Sequence, residues 1–338
     1  MGQQGLEATS VTYTYGPVSS WRYGRSLGVD VTTPPKKCTY NCIYCQLGHT
    51  KKHVTSPEEI QDEMPLSDEI ISEVEETLNR LDRGTVDVLT FSGTGEPTLN
   101  PNIGSIVSRI RGTAQDLPII LLTNASLLPS EAIRKGVLEF DIVTAKFDAG
   151  DEDTFKRINR PSKGSFKLHE IKDAIKKLGD EMKGMLALEV MLLRGPRGLT
   201  NVKGLPKRAL IDGILDISPD LVQLYTPWRP APVSTVRPVS TKALRGFGTA
   251  LEQHLSPDKL WIYGVHDARG KTVVWKTRRA LEEEILSLLR RRPCRTVDVS
   301  HSLGIMPAAA ASTLEKLHKN NDITKDEVGT DVFYRAEA

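Results

Sequence analysis

Cysteine is scarce in this 338-residue chain, with four in all, and no apolar run reaches the roughly 18 residues needed to cross a bilayer. So few thiols exclude a disulfide scaffold at this length, and the missing apolar run excludes a membrane-spanning helix. The opening stretch MGQQGLEATS lacks the charged-then-apolar order of a secretory signal, so a cytoplasmic protein is expected. Net charge is nearly absent too: 45 Lys plus Arg against 43 Asp plus Glu leave +2, which neither demands nor forbids a nucleic-acid partner. Locally the shortage is of acid. Val31 to Pro57 contains no Asp or Glu, while Lys36, Lys37, His49, Lys51, Lys52 and His53 fall within it.

What remains is an ordinary folded composition, 39% apolar and 26% charged, which argues against disorder and coiled coil. The length suits one large unit plus a small one, because single cores rarely grow past ~250 to 300 residues. Short runs rich in Val, Ile and Leu alternate with helical patterns, the mark of crossover units in a parallel sheet. Six strands are predicted: Ser26 to Val31, Val86 to Phe91, Pro118 to Thr123, Asp141 to Lys146, Met185 to Leu192 and Asp220 to Tyr225. Leu66 to Asp82 and Phe166 to Leu178 carry apolar stripes at helical spacing and should cover the sheet's outer face.

The fold class expected is therefore α/β, a partial (β/α)6 parallel barrel over residues 1–240 with an edge extension over 241–277. The stretch PWRPAPVSTVRPVS is too rich in proline for a central strand and should cross in extended form. Residues Lys242 to Lys276 offer a helix and two short strands. Over 278–338, Ala280 to Arg291, Val297 to Leu303 and Pro307 to Lys319 read as three helices and Ile323 to Arg335 as a hairpin, a winged-helix-like module. Its ten basic and ten acidic residues leave it neutral. Its third helix, PAAAASTLEKLHK, presents small apolar side chains where Arg, Asn or Gln read base edges, which argues against sequence-specific DNA binding.

Chemistry concentrates in KCTYNCIYCQLG, where three residues separate Cys38 from Cys42 and two separate Cys42 from Cys45. Three thiolates can converge there, and a four-iron cluster given only three keeps one iron open. The rival is a zinc site completed by His49 or His53. Cys294 stands apart. Function gathers at the carboxyl ends of such strands, and further polar motifs fall there. FSGTGEPT follows the second strand, with Gly95 to let backbone approach a ligand and Glu96 to accept hydrogen bonds. Thr123 and Asn124 end the third strand, Lys146 and Asp148 the fourth, and Glu189, Met191 and Arg194 line or close the fifth. Arg160 and Arg229 join the basic residues near the mouth, where phosphates could bind.

With its CxxxCxxC spacing, Tyr44 before the last cysteine and GTGEP one crossover later, the chain resembles the radical S-adenosylmethionine (SAM) superfamily. The resemblance implies a [4Fe-4S] cluster on Cys38, Cys42 and Cys45. It also implies S-adenosyl-L-methionine positioned by Tyr44, Gly95, Glu96, Asn124, Asp148 and Glu189. An electron from a flavodoxin or ferredoxin type donor would cleave the sulfonium to a 5'-deoxyadenosyl radical. Four stretches, YGPVSSWRYGRSLGVDV, CTYNCIYCQLG, FDAGDEDTFKRINRP and LVQLYTPWRPAP, resemble the branch related to the wyosine-forming tRNA enzyme. That branch carries further cysteines for a second cluster, which this chain lacks. The expected target is an RNA (tRNA) nucleotide, met by Lys146, Arg160, Arg194 and Arg229. A protein side chain or small metabolite is the enzymatic alternative, and a non-catalytic metal-binding winged-helix regulator the alternative of another class.

Overall fold

The computed structural model of the chain describes residues 12–20, 22–81, 85–229, 231–263, 278–291, 293–303, 305–328 and 331–336. One curled sheet of eight strands organises it: β1 (Thr14–Ser20), β2 (Gly24–Val29), β3 (Val88–Phe91), β4 (Ile119–Thr123), β5 (Ile142–Lys146), β6 (Met185–Met191), β7 (Leu221–Tyr225) and β8 (Leu260–Ile262), adjacent in that order. From β2 onward every pairing is parallel, and β1 lies antiparallel on β2. All six expected strands are present, within two residues at each end. The barrel gains a seventh parallel strand, β8, in the stretch read as an edge extension. The other short strand expected in Lys242 to Lys276 lies outside the described residues. Strand β1 was not expected. Its sequence TYGPVSS has a Gly-Pro pair and no apolar alternation, a composition that only an edge position tolerates.

Helices α1 (Ser67–Arg80), α2 (Ile103–Ala114), α3 (Glu131–Val137), α4 (Glu152–Ile158), α5 (Leu168–Glu181), α6 (Gly204–Ile217) and α7 (Thr241–Glu252) follow the strands. Their apolar stripes are buried as periodicity demands, Ile70, Ile71 and Val74 in α1 and Leu168, Ile171 and Ile175 in α5. The strands alternate between this helix-covered face and the inner face of the curl. On the inner face, Val88, Ile120, Ile142, Ala187 and Leu221 make an apolar floor. Thr90, Thr144, Glu189 and Gln223 lie two residues further along their strands, and Lys146, Met191 and Tyr225 reach the rim.

The β1–β2 turn fills this interior. The Tyr23 hydroxyl lies 2.6 Å from Thr144 Oγ1 and accepts from Gln223 Nε2 at 2.9 Å, while Arg22 pairs with Glu189 at 2.8 Å. These contacts join the start of β2 to β5, β6 and β7, so the lumen is a packed plug open at the carboxyl ends.

Toward the C-terminus come α8 (Arg278–Arg291), α9 (Thr296–Leu303), α10 (Pro307–Lys319) and an antiparallel pair, β9 (Thr324–Val328) with β10 (Asp331–Arg335). Helix α10 packs beside the turn Pro257–Lys259 that leads into β8. Leu281, Ile285, Leu314 and the alanines 308–310 belong to one contiguous buried cluster with Trp261 and the barrel floor. No helix among the described residues is long and apolar enough to cross a membrane.

Candidate cluster and cofactor site

The cysteine loop leaves the end of β2 and is clamped from two sides. Lys37–Cys38 pairs with Lys52–His53, and the main chain of Ile43 and Asn41 donates to the carbonyls of Ile158 and Asn159 at 3.0 and 3.1 Å. The tail of α4 thus fixes the segment that carries Cys42. All three cysteines are free thiols. Burial pushes Cys38 up to about 12, helped by nearby Glu96, and pushes Cys42 higher still. Left alone these groups stay protonated, and a cation is what would make them thiolates.

Each sulfur also has an N–H donor. Cys38 Sγ faces the Tyr40 amide at 3.4 Å and Asn124 Nδ2 at 3.5 Å, Cys42 Sγ faces Asn159 Nδ2 at 3.7 Å, and Cys45 Sγ faces Lys36 Nζ at 3.2 Å. Donors aimed at sulfur suit an anionic iron-sulfur group. Among the described residues no three His, Cys, Asp or Glu side chains converge on one ion. The histidines of the zinc alternative look elsewhere, His49 toward Asn41 and His53 toward Ser162.

The next rim loop is knitted to the first by two buried acids. Asp30, ending β2, accepts from Thr32 and Thr33 through one oxygen and from Thr94 through the other. Glu96 accepts from Thr98 N at 3.1 Å, Thr98 Oγ1 at 2.7 Å, Thr123 Oγ1 at 2.6 Å and Asn124 N at 2.7 Å. Three of these donors, from Thr98 and Thr123, meet Oε1, and only the Asn124 amide meets Oε2, so an acceptor position stays open on Oε2. Burial raises the pKa of this carboxyl. Gly95 has a packing reason as well: a Cβ there would stand 2.1 Å from the Lys37 carbonyl oxygen, backbone against backbone.

Across the mouth, Asp148 takes the Tyr44 hydroxyl, the Asn159 amide at 2.9 Å and the Met191 main chain at 2.8 Å. Lys146 hydrogen-bonds the Tyr225 hydroxyl and stands 3.8 Å from Asp148 and 3.7 Å from Glu189. Its ammonium lies 5.0 Å from the Tyr44 ring and 4.8 Å from that of Tyr225. Burial would raise the Glu189 pKa, but the charges of Arg22 and Lys146 outweigh it and hold the carboxyl down to about 2.

The structure therefore gathers Tyr44, Lys146, Asp148 and Glu189 in one network and Gly95, Glu96 and Asn124 in another, on either side of the cysteines. Arg229 reaches the cluster loop, donating to Gln46 at 2.6 Å with its guanidinium 4.3 Å from the ring centre of Trp228. Arg160 sits at the loop's edge with φ of 49°, and its carbonyl accepts from Asn41. Arg194 does not join them: it is exposed on a two-residue ladder with Arg237–Pro238 and donates to the Pro238 carbonyl at 3.1 Å.

Sequence reasoning missed Arg22, Tyr23, Asp30, Asn159 and Tyr225. Asn159 matters most, because its amide nitrogen serves Cys42 and Asp148 while its buried Oδ1 has no partner. Such an orphaned acceptor is rare, and here it stands beside the cysteines, where a donor on a bound group could satisfy it.

Comparison with known proteins agrees with this geometry. The family model of the radical SAM superfamily matches residues 32–196, from the cysteine loop through β6. Together with the parallel sheet and its cysteine loop, that makes the chain a radical SAM enzyme, using a [4Fe-4S] cluster and SAM. Within that superfamily it belongs to the UPF0026 group. It is 30% identical over 324 residues to the UPF0026 protein MJ1312 of Methanocaldococcus jannaschii, covering 96% of each chain. The UPF0026 protein of Helicobacter pylori (strain J99) is 31% identical over 95% of this chain and 97% of its own. Among solved structures, Streptococcus suis SuiB bound to S-adenosylmethionine superposes with a TM-score of 0.51 at 10% identity, over 71% of this chain and 50% of SuiB. That likeness is one of fold.

Proposed function

We propose that this radical SAM enzyme acts on an RNA nucleotide, tRNA being the first candidate. The observation that carries the reading is the charge of the rim. Residues 31–57, which hold the cysteines, and residues 226–251, which follow β7, contain no Asp or Glu, yet include Lys51, Arg229, Arg237, Lys242 and Arg245. Beside them Trp228 is half exposed, at 51%, and stacks on Tyr263 with ring centres 6.0 Å apart. Cationic surface with exposed aromatic rings is what single-stranded RNA binds.

In this proposal Cys38, Cys42 and Cys45 ligate the cluster, and Tyr44, Gly95, Glu96, Asn124, Asp148 and Glu189 shape the cofactor pocket. Glu96 does so by positioning the Thr123–Asn124 turn, and the free Asn159 carbonyl supplies an acceptor to the cofactor. When bound, cluster and SAM supply the means to remove a hydrogen atom from substrate. The packed lumen confines entry to the mouth, where Lys146, Arg160 and Arg229 meet the substrate, and a small acidic flavodoxin or ferredoxin type protein is the proposed electron donor. The chain is divided into 1–240, 241–277 and 278–338, the last a winged-helix-like module applied to the barrel instead of to DNA.

The test is an anaerobic assay for 5'-deoxyadenosine with purified RNA, the same RNA after nuclease digestion, and a peptide extract. Intact RNA should raise product several-fold over enzyme alone and digestion should abolish the gain. Stimulation by the peptide extract alone would replace the RNA reading.

A further inference from the structure

Lys36 is an unusual residue to find next to a cysteine ligand. It is 6% exposed, and its ammonium lies 2.7 Å from the Gly48 carbonyl and 3.2 Å from Cys45 Sγ. Among the described residues no carboxylate pairs with it, whereas Lys52, in the adjoining strand, pairs with Glu63. A buried ammonium without an anion carries a large desolvation cost. The group in direct contact with the Lys36 ammonium that can become negative is the Cys45 sulfur. The donors to the other two cysteines are neutral, the amides of Tyr40, Asn124 and Asn159 and the Tyr44 hydroxyl. Full positive charge therefore touches the site at the Cys45 corner, and its field extends to Cys38.

We infer that Lys36 is the counter-ion of the iron-sulfur cluster, built into the fold at the Cys45 corner, and that it raises the potential at which the cluster accepts its electron. Reduction adds one negative charge to the cluster, so a cation in contact with a ligand sulfur favours the reduced form. Net charge and hydrogen bonds to sulfur are the means by which proteins set such potentials, and low local dielectric strengthens both. The role depends on the cluster and is independent of the RNA reading.

The test uses the full chain, reconstituted anaerobically as the parent and as Lys36→Arg, Lys36→Gln and Lys36→Met. Iron content is measured, and the midpoint potential is taken by electron paramagnetic resonance during redox titration. Glutamine keeps an N–H donor without the charge, methionine keeps neither, and arginine keeps the charge. Expected is a loss of about tenfold or more in the one-electron equilibrium constant for Gln and Met, which is ~59 mV more negative, with Arg near the parent. Loss of iron from both neutral variants while Arg loads would equally support a counter-ion. Two results overturn it: fully loaded Gln and Met variants with the parent's potential, or failure of Arg to load along with the others, which would make Lys36 a packing residue.

Discussion

At the scale of single residues, the site is built by side chains that tie loops together before they touch any ligand. Gly95 shows how little room this leaves. Its Cα faces the carbonyl of Lys37, the residue before Cys38, and a Cβ would overlap that oxygen at 2.1 Å. Neither partner is a flexible side-chain end, so Gly95→Ala should displace the first cysteine. We expect it to lower iron retained after anaerobic reconstitution at least several-fold while leaving the circular dichroism of the barrel intact. The Arg22–Glu189 pair offers a second test, because the folded carboxyl titrates near 2 and an unfolded glutamate near 4.3. A depressed acid stabilises the fold fully above its unfolded pKa and loses that contribution as pH falls toward the folded value. Glu189→Gln, which leaves Arg22 without its carboxylate, should cost about 3 kcal/mol at pH 7. In urea denaturation the gap between the two proteins should close as pH falls from about 4.3 to 2, and a gap independent of pH would refute the assignment. The residues differ in how far sequence revealed them. Cys38, Cys42 and Cys45 are legible because ligand spacing is local. Arg22 and Asn159 are not, because their value comes from partners more than a hundred positions away, Glu189 for one and Cys42 for the other.

At the scale of elements, the strands were legible because a parallel strand buried on both faces reads as a continuous apolar run. Strand β1 was hidden for the opposite reason, since an edge needs no such run. Close helix contacts were equally invisible, because glycine in a helix reads as a weakness until its neighbour is seen. Helix α2 holds two glycines with opposite environments. A Cβ on Gly104 would lie 2.6 Å from the Gly136 Cα of α3, whereas around Gly112 nothing lies within 4 Å. Gly104→Ala should push the helices apart and destabilise by about 1 to 3 kcal/mol. Gly112→Ala should stabilise by about 0.5 to 1 kcal/mol, since only chain entropy and helix propensity change. Urea midpoints of the two variants, measured side by side, check the opposite signs, and movement in one direction would show that the α2–α3 contact does not govern the first.

At the scale of the whole molecule, the question is what the C-terminal module does for a barrel already plugged by Tyr23 and Arg22. Its sequence suggested a nucleic-acid reader by layout and denied it by composition. The structure gives that composition a use, since Ala308, Ala309 and Ala310 are buried and α10 lies against the turn before β8. The apolar floor and the module form one buried cluster joined through Trp261, so the barrel's amino-terminal end is covered by the chain's own last third helix and its neighbours. A chain ending at residue 277 would expose Trp261 and part of that floor, an apolar surface of the kind that drives association. We expect the truncated chain to elute as aggregate in size-exclusion chromatography under conditions where the full chain does not, and to lose cluster content because the β7–β8 edge loosens. If it stayed monodisperse, kept its iron and melted where the full chain does, the module would be an independent appendage and its partner would have to be sought outside this chain.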